Sequence, residues 1–190
     1  MVIPHNFPLL GEPLALDLVN TCVGRNHARL DLLDSTSALM AWLQVESARV
    51  AWSGQANLAD LRAVQGLRAA LAVLFDARRA GTRPPAPALR KLNAALTAPS
   101  MTARLAWATT GPKLVNPSAG SRRDVLLHAL AADAVSVLTG PSATRLRVCA
   151  HPDCVLQFVA LNPRRRWCSD AVCGNRARVA RHYQRQRADS

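Results

Sequence analysis

The sequence predicts a mainly α (α+β) protein with two domains: a helical N-terminal domain with a small β-hairpin, and a C-terminal zinc finger. Between residues 36 and 138, apolar residues recur at helical spacing between capping signals. Four of the five cysteines then fall in two close pairs near the C-terminus. We place the domain boundary near Gly140-Pro141-Ser142, where a helical pattern meets helix-stopping residues, which gives domains of 1–143 and 144–190.

The segment before residue 35 fits two kinds of structure. Leucine at positions 14, 16 and 18 alternates as in a β-strand, while Leu14 and Leu18 also have helical spacing. If the segment is helical, three polar residues share one face and form a polar cluster: Asp17, Asn20 and Thr21. Such a cluster either lines a ligand pocket or braces neighbouring segments. We favour bracing, because these residue types readily hydrogen-bond nearby backbone.

Capping residues predict four further helices. Each helix begins after a residue whose side chain can accept a hydrogen bond from the helix N-terminus, or after a proline pair. The helices are expected, in chain order, over about 36–48 after Asp34 or Ser35, from Asn57 to Gly81, over about 87–98 after Pro84-Pro85, and from a capping box at Ser121-Arg122-Arg123-Asp124 to about Leu138.

A β-hairpin is expected between the third and fourth of these helices. The segments Arg104–Ala108 and Lys113–Val115 flank the turn-forming residues Thr109-Thr110-Gly111-Pro112. Elsewhere in this domain the sequence offers no nucleophile with an adjacent base, no paired-carboxylate site and no glycine-rich phosphate loop. We therefore expect the protein not to be an enzyme.

The cysteine spacing predicts a structural zinc site. Four residues separate Cys149 from Cys154 and Cys168 from Cys173, and thirteen residues lie between the pairs. Two close pairs can bring four thiolates to one tetrahedral Zn²⁺, which leaves no open position for catalysis. The alternatives are two disulfides or a redox dithiol. We expect neither, because no secretory signal precedes the domain and redox pairs are usually C-x-x-C. His151, between the first two cysteines, is an alternative ligand, but we expect it to be a surface residue of the turn because Cys149 and Cys154 are both available.

The predicted order of elements in the finger is typical of a treble clef, with a zinc ribbon as the alternative. Strands over 146–148 and 156–160 would flank the first cysteine pair. Ser169 or Asp170 can cap a final helix, which places Cys173 in the first helical turn.

Positive charge is concentrated in the finger. The chain carries a net charge of +12. Residues 144–190 hold 10 Lys+Arg against 3 Asp+Glu, compared with 14 against 9 in residues 1–143. This imbalance favours a polyanionic partner. The candidate nucleic-acid-binding residues are one face of the final helix and a preceding cluster: Arg178, Arg181, His182 and Arg185, with Arg164, Arg165 and Arg166.

Other residues of the final helix are assigned to the interior of the finger. Val179, Ala180 and Tyr183 lie on another side of the helix, which we expect to face the zinc core. Arg176 lies off the basic face, and we expect its side chain to brace the finger.

The C-terminal residues resemble the CGNR zinc finger family. The tetrapeptide that names the family stands at Cys173–Arg176, preceded by Arg165-Arg166-Trp167-Cys168 and followed by Arg181-His182-Tyr183. Leu14–Thr21 resembles the opening of the ABATE domain that usually precedes this finger. The two resemblances span nearly the whole chain. They imply a bacterial transcription regulator with a sensor-like N-terminal domain and a DNA-binding finger.

DNA is the partner that we expect. RNA bound by the same basic surface, and an acidic protein docked on the finger, are the alternatives. A small-molecule effector and a homodimer stay open, because no residue pattern identifies either. No apolar run approaches the ~20 residues of a membrane helix, so we expect no membrane partner and a cytoplasmic location.

Overall fold

The computed structural model describes residues 7–24, 29–97, 104–115 and 120–188. Within these ranges the mainly α prediction is confirmed, and the strands form three two-stranded antiparallel sheets. None of the described helices has the length and apolar character needed to cross a membrane. In chain order the elements are α1 (Leu14–Val19), β1 (Cys22–Val23), β2 (Leu30–Asp31), α2 (Thr36–Val45), α3 (Leu58–Ala80), α4 (Ala86–Leu96), β3 (Arg104–Ala108), β4 (Gly111–Val115), α5 (Arg122–Thr139), β5 (Leu146–Val148), β6 (Gln157–Val159) and α6 (Asn175–Ala188).

The ambiguous N-terminal segment forms a helix, α1. All six of its residues are buried. A helix that is buried on every side shows no polar face, so its sequence carries no periodicity that would distinguish it from a strand. No side chain of its own segment caps it. Instead, the Ala15 N–H donates to Asp133 Oδ2 of α5 at 2.8 Å, which ties α1 to the helical core.

The predicted capping residues set the ends of the longer helices. Ser35 Oγ accepts a hydrogen bond from the Ala38 N–H at the start of α2. This helix ends at Val45, a little before the expected end near residue 48. The capping boxes at the starts of α3 and α5 both form. Gly81 ends α3 with a φ of +66°, a left-handed conformation that glycine adopts without strain.

The central helix of the core is α3. It packs against α1, α4 and α5, and also against β5 of the finger. Its buried residues follow the spacing of an amphipathic helix, so one apolar face meets all of these neighbours. The apolar residues of this face are Leu61, Val64, Leu67, Leu71, Leu74 and Phe75.

The predicted hairpin consists of β3 and β4. Thr109 and Thr110 form its two-residue turn, and Ala108 pairs with Gly111. Gly111 has a φ of +114°, which lets the chain enter β4 directly from the turn. The second strand therefore begins before Lys113, where the sequence predicted its start.

One short strand of the finger, β6, contributes side chains to the cores of both predicted domains. Its three residues are all buried. Val159, with Leu146 of β5, belongs to the apolar core of the helices. Phe158 belongs instead to the apolar cluster around the four cysteines. Successive side chains of a strand point to opposite faces, so β6 joins the two cores.

Side chains of the N-terminal segment meet the edge of β6 that β5 does not pair. Asn20 Oδ1 accepts from the Gln157 N–H at 2.8 Å, and Asn20 Nδ2 donates to the Gln157 carbonyl at 2.9 Å. Glu12 Oε2 accepts from the Val159 N–H at 2.8 Å. These bonds, which we call the β6 edge contacts, satisfy buried backbone groups that would otherwise lack partners.

We expect Asn20→Ala to destabilise the protein by about 2–4 kcal/mol, because it leaves a buried amide and a buried carbonyl of Gln157 without partners. Chemical denaturation measures the loss, and the Gln157 amide should lose protection from hydrogen exchange. Asn93→Ala, at an exposed site on α4, is the matched control and should change stability by less than about 0.5 kcal/mol. Equal stability of the two variants would show that the Asn20 contacts contribute nothing.

Candidate metal centre and basic helix

The cysteines of the two pairs converge. Their Sγ atoms all lie within 4.8 Å of one another, and all four residues are buried. Cys154 Sγ is 3.8 Å from Cys168 Sγ, which is 3.6 Å from Cys173 Sγ. Four sulfurs on one tetrahedral zinc, with bonds of about 2.3 Å, would lie about 3.8 Å apart. The cluster, which Cys149 completes, therefore fits a Zn(Cys)4 centre.

The first cysteine pair lies on a closed turn after β5. The Cys149 N–H donates to the Leu156 carbonyl at 2.9 Å, and the Cys154 N–H donates to the His151 carbonyl at 3.0 Å. His151 is buried, and its Nδ1 accepts from the Asp153 N–H at 3.3 Å. His151 therefore shapes the turn, and it lies outside the group of four side chains that could hold the metal.

The second pair lies at the start of the final helix. Cys173 is in a π-helical turn, Asp170–Gly174, that runs into α6. Ser169 Oγ caps this turn by accepting from the Val172 N–H at 3.3 Å. The predicted position of Cys173 in the first helical turn is confirmed. A helix N-terminus carries partial positive charge, which favours the negative charge of a Zn(Cys)4 centre.

Gly174 is required by close packing beside the second pair. A Cβ atom at this position would clash with Asp170 Oδ1 and would lie 3.0 Å from Trp167 Cδ1. Trp167 is partly buried and packs against the cysteine cluster. A larger residue at position 174 would therefore displace the exposed Asp170 side chain and press on Trp167.

Backbone hydrogen bonds join the two cysteine pairs. The Ala150 N–H donates to the Arg166 carbonyl at 2.9 Å. The Cys168 N–H donates to Cys149 Sγ at 3.4 Å. Hydrogen bonds from the surrounding protein orient metal ligands and tune their basicity. The chain thus fixes the relative positions of the two halves of the site.

The metal-free thiols hold their protons unequally. A hydrogen bond with the Cys168 thiol lowers the pKa of Cys154 to about 5. The same interaction raises the pKa of Cys168 far above its ordinary value. Burial raises the pKa of Cys173 to about 11. The cluster must lose protons to bind zinc, so its metal affinity falls as the pH falls.

Both parts of the chain match known protein families. Residues 12–141 match the family model ABATE, described as "Putative stress-induced transcription regulator". The chain belongs to the ABATE family. Residues 145–186 of this ABATE protein match the CGNR zinc finger, so both resemblances seen in the sequence are confirmed. No curated protein matches the chain. The finger family and the converging cysteines together establish one structural zinc per chain.

Most of the predicted basic face is exposed on α6. Arg181, His182 and Arg185 are exposed, and no acidic residue occurs in the helix. Arg178 is half exposed and pairs with a residue of the preceding turn, its Nη1 lying 3.2 Å from Asp170 Oδ1. Among the described residues, Arg178 is therefore the member of this face that has an acidic partner, and that partner lies outside α6.

Arg165 braces the finger, which counts against its predicted role as a nucleic-acid-binding residue. Its Nη1 lies 2.9 Å from Glu12 Oε1, and its Nη2 donates to the Cys168 carbonyl at 2.7 Å. Its guanidinium carbon lies 4.3 Å from the centre of the Phe158 ring. These contacts engage the guanidinium group of Arg165, which covers one face of the Phe158 ring. The neighbouring arginines of the cluster are exposed: Arg164 and Arg166.

The expected interior face of α6 is wrong. Val179 is 46% exposed and Tyr183 is 62% exposed. Ala180 is also exposed, as is Arg176, which was expected to brace the finger. The helix packs on the π-helical turn, whereas the small core of the finger is filled by other residues. Those residues are the four cysteines, Leu156, Phe158, Ala160 and partly buried Trp167.

The polar cluster of the N-terminal segment makes three separate contacts. Asp17 Oδ2 lies 2.6 Å from Arg49 Nη2. Asn20 makes β6 edge contacts, and Thr21 Oγ1 accepts from Arg68 Nη1 at 2.8 Å. The three side chains therefore brace three different segments, which favours bracing over a shared ligand pocket.

Sequence reasoning missed Glu12 and Arg49. Glu12 is buried and meets both β6 and Arg165, and Arg49 joins Asp17 to Glu46. The contact between Glu12 and β6 spans 147 positions of the chain. Charge patterns in a sequence report neighbours along a helix face, so they give no signal for such a distant pair.

We expect Cys168→Ser to lose stoichiometric zinc, because the substitution removes one of four sulfur ligands. Metal analysis of the purified protein measures the zinc content. Cys22→Ser is the matched control, since Cys22 lies outside the cluster, and it should keep one zinc per chain. A Cys168→Ser protein with a folded finger and full zinc content would contradict the four-sulfur site.

Asp17 makes stability depend on pH. Burial raises the pKa of Asp17 to about 6, and the hydrogen bond from Arg49 opposes this effect. Between about pH 4 and about pH 6 the folded state therefore holds a proton that the unfolded state has released. Stability contributed by this group rises as the pH falls through that window, and it is lost as the pH rises.

Relative to Asp17→Asn, we expect the wild type to gain about 1 kcal/mol of unfolding free energy from about pH 7 to about pH 5. Denaturation of both proteins at the two pH values gives the difference, in which the titration of the zinc ligands cancels. Asp34→Asn, at an exposed site, serves as the control and should show no comparable change. A constant difference between wild type and Asp17→Asn would contradict the raised pKa.

Proposed function

We propose that this ABATE protein is a transcription regulator that binds duplex DNA with the exposed basic face of α6, and that its helical domain is the sensor. The observation that carries the proposal is the position of α6. The helix packs on the π-helical turn beside the metal centre, and its residues from Arg178 to Arg187 are exposed. We also propose that the protein acts in the cytoplasm by binding, without catalysis.

The charge of α6 favours a polyanionic partner. The helix carries five arginines and no acidic residue. Like charges three and four positions apart on a helix repel each other. Asp170 offsets this repulsion at Arg178. Phosphate groups of a nucleic acid would relieve the rest, with release of condensed counterions.

The shape of α6 favours duplex DNA over RNA. An exposed helix of 14 residues fits the major groove of B-DNA, whereas the major groove of duplex RNA is too narrow for side chains to read. Single-stranded RNA is commonly bound by stacking of bases on several aromatic side chains. Tyr183 is the sole Phe, Tyr or Trp residue in the sequence of α6.

Arg164 and Arg166 supply a second basic contact in this proposal. Both are exposed. Arg165 between them is fixed to Glu12 and to the Cys168 carbonyl. Because the middle residue is anchored, its neighbours lose less conformational freedom when they bind a phosphate backbone.

The β6 edge contacts support the sensor role of the helical domain. Asn20 and Glu12 hold the backbone of β6 by buried hydrogen bonds. The strand in turn carries Phe158, which packs in the cysteine cluster. A change in the position of the N-terminal segment would therefore move the finger directly.

We expect Arg181→Ala and Arg185→Ala each to weaken binding to a random-sequence duplex. Each should make the negative slope of log affinity against log salt shallower by about one unit, because one phosphate contact is lost. Fluorescence anisotropy over a range of salt concentrations measures both quantities. Arg62→Ala, at an exposed site on α3, is the matched control and should leave affinity and slope unchanged.

Wild-type affinity and slope in both α6 variants would refute the assignment of this helix. Tighter binding to a single-stranded RNA of the same sequence would favour an RNA-binding function. If neither nucleic acid bound, an acidic protein partner of the finger would become the better proposal.

A further inference from the structure

We propose that a cleft between the helical domain and the finger binds a small organic anion. The cleft encloses about 420 Å³, and residues of β1 and α3 line one side of it. Val148, Val155 and Gln157 of the finger line the other side. We call this space the junction cleft, and its volume suits a small-molecule site. The inference deepens the sensor role proposed above, but it is tested by ligand binding and not by DNA binding.

The charge of the junction cleft favours an anion. Three guanidinium groups line it, those of Arg29, Arg68 and Arg79. Asp31 pairs with Arg68, and Asp76 pairs with Arg79. Two carboxylates against three guanidiniums leave one positive charge unbalanced. A cleft with an excess of one sign of charge concentrates ligands of the opposite sign.

Arg68 is already held in place for such a ligand. Its side chain is 8% exposed. Its Nη1 donates to Thr21 Oγ1 at 2.8 Å and to Asp31 Oδ1 at 2.6 Å. Its Nη2 also donates to Asp31 Oδ2, so three of the five N–H donors of the guanidinium are engaged and two remain for a ligand. Because the group is already fixed, a ligand loses little free energy in ordering it.

The rest of the junction cleft is mainly apolar. Val19, Ala69, Ala72, Val148 and Val155 contribute to its lining. An apolar group of a ligand gains free energy by leaving water for such a wall, which an inorganic ion cannot do. The chemical class is therefore a carboxylate or a phosphate ester that carries a short apolar group.

Gln157 connects the junction cleft to the β6 edge contacts. Its Nε2 donates to Asp76 Oδ1 at 3.2 Å, while Asn20 holds its backbone. Its Oε1 is buried and has no hydrogen-bond partner among the described residues. A buried polar atom of this kind calls for a partner that the chain does not supply. A ligand in the junction cleft that contacts Gln157 as well as Arg68 would bridge the two domains and stabilise their docking.

Isothermal titration of the intact, zinc-loaded protein tests the proposal with two probes, sodium benzoate and phenyl phosphate. Benzyl alcohol is the neutral control of similar size. We expect saturable one-site binding of at least one anion with a Kd of about 1 mM or lower, and no binding of benzyl alcohol. The stronger of the two anions identifies the preferred head group.

Two variants locate the site. Arg29→Gln removes one of the three positive charges, and Ala69→Trp fills the junction cleft from an exposed position on α3. Each should weaken anion binding by about tenfold or more, while the melting temperature without ligand changes little. Arg62→Gln, exposed on α3 outside the cleft, is the matched control and should bind as the wild type does.

Absence of saturable binding by both anions would overturn the proposal. So would unchanged affinity in both Arg29→Gln and Ala69→Trp, because the anion would then bind elsewhere. Neither result depends on the DNA titrations, so a failure of the regulator function and a failure of the junction cleft are distinguishable.

Discussion

The structure depends on hydrogen bonds to the edge of β6 that β5 leaves unpaired. A strand edge presents N–H and C=O groups, and each costs about 1–3 kcal/mol when it is buried without a partner. Asn20 and Glu12 meet the groups of Gln157 and the amide of Val159. Arg165 Nη1 donates to the Val159 carbonyl at 3.3 Å. Because side chains take the place of a third strand, a strand of only three residues suffices to join the helical core to the metal core.

The partly buried side chain of Arg165 contacts residues of both cores. Glu12 is 6% exposed, so its carboxylate needs a cation or several donors to offset the loss of water. Arg165 supplies that cation, and its Nη2 donates to the Cys168 carbonyl beside the metal centre. Its flat face covers Phe158. The metal centre and the N-terminal segment are therefore linked through a single side chain as well as through β6.

Local signals in the sequence predicted local structure. The predicted cap at Asn57, the capping box at Ser121 and the stop at Gly81 placed the ends of α3 and the start of α5, because those bonds join residues a few positions apart. Each cysteine pair is also local in sequence, and the presence of two such pairs predicted the cluster. The role of Arg165 could not be predicted, since its partner Glu12 lies near the other end of the chain. The apolar side of α6 is exposed because other residues already fill the small core of the finger. The helical spacing of apolar residues gives no measure of the space available in that core.

Two of the bonds that dock the finger do not depend on the residue type at position 157. Asn20 bonds to the main-chain N–H and carbonyl of position 157, and every residue type except proline offers both groups. Over evolutionary time, position 157 is therefore open to sequence drift as far as these bonds are concerned. Asn20 is not, because it must offer a donor and an acceptor at one fixed distance from its own backbone. These two bonds are thus encoded in Asn20, and a grafted finger from a related protein would keep them with any residue except proline at position 157.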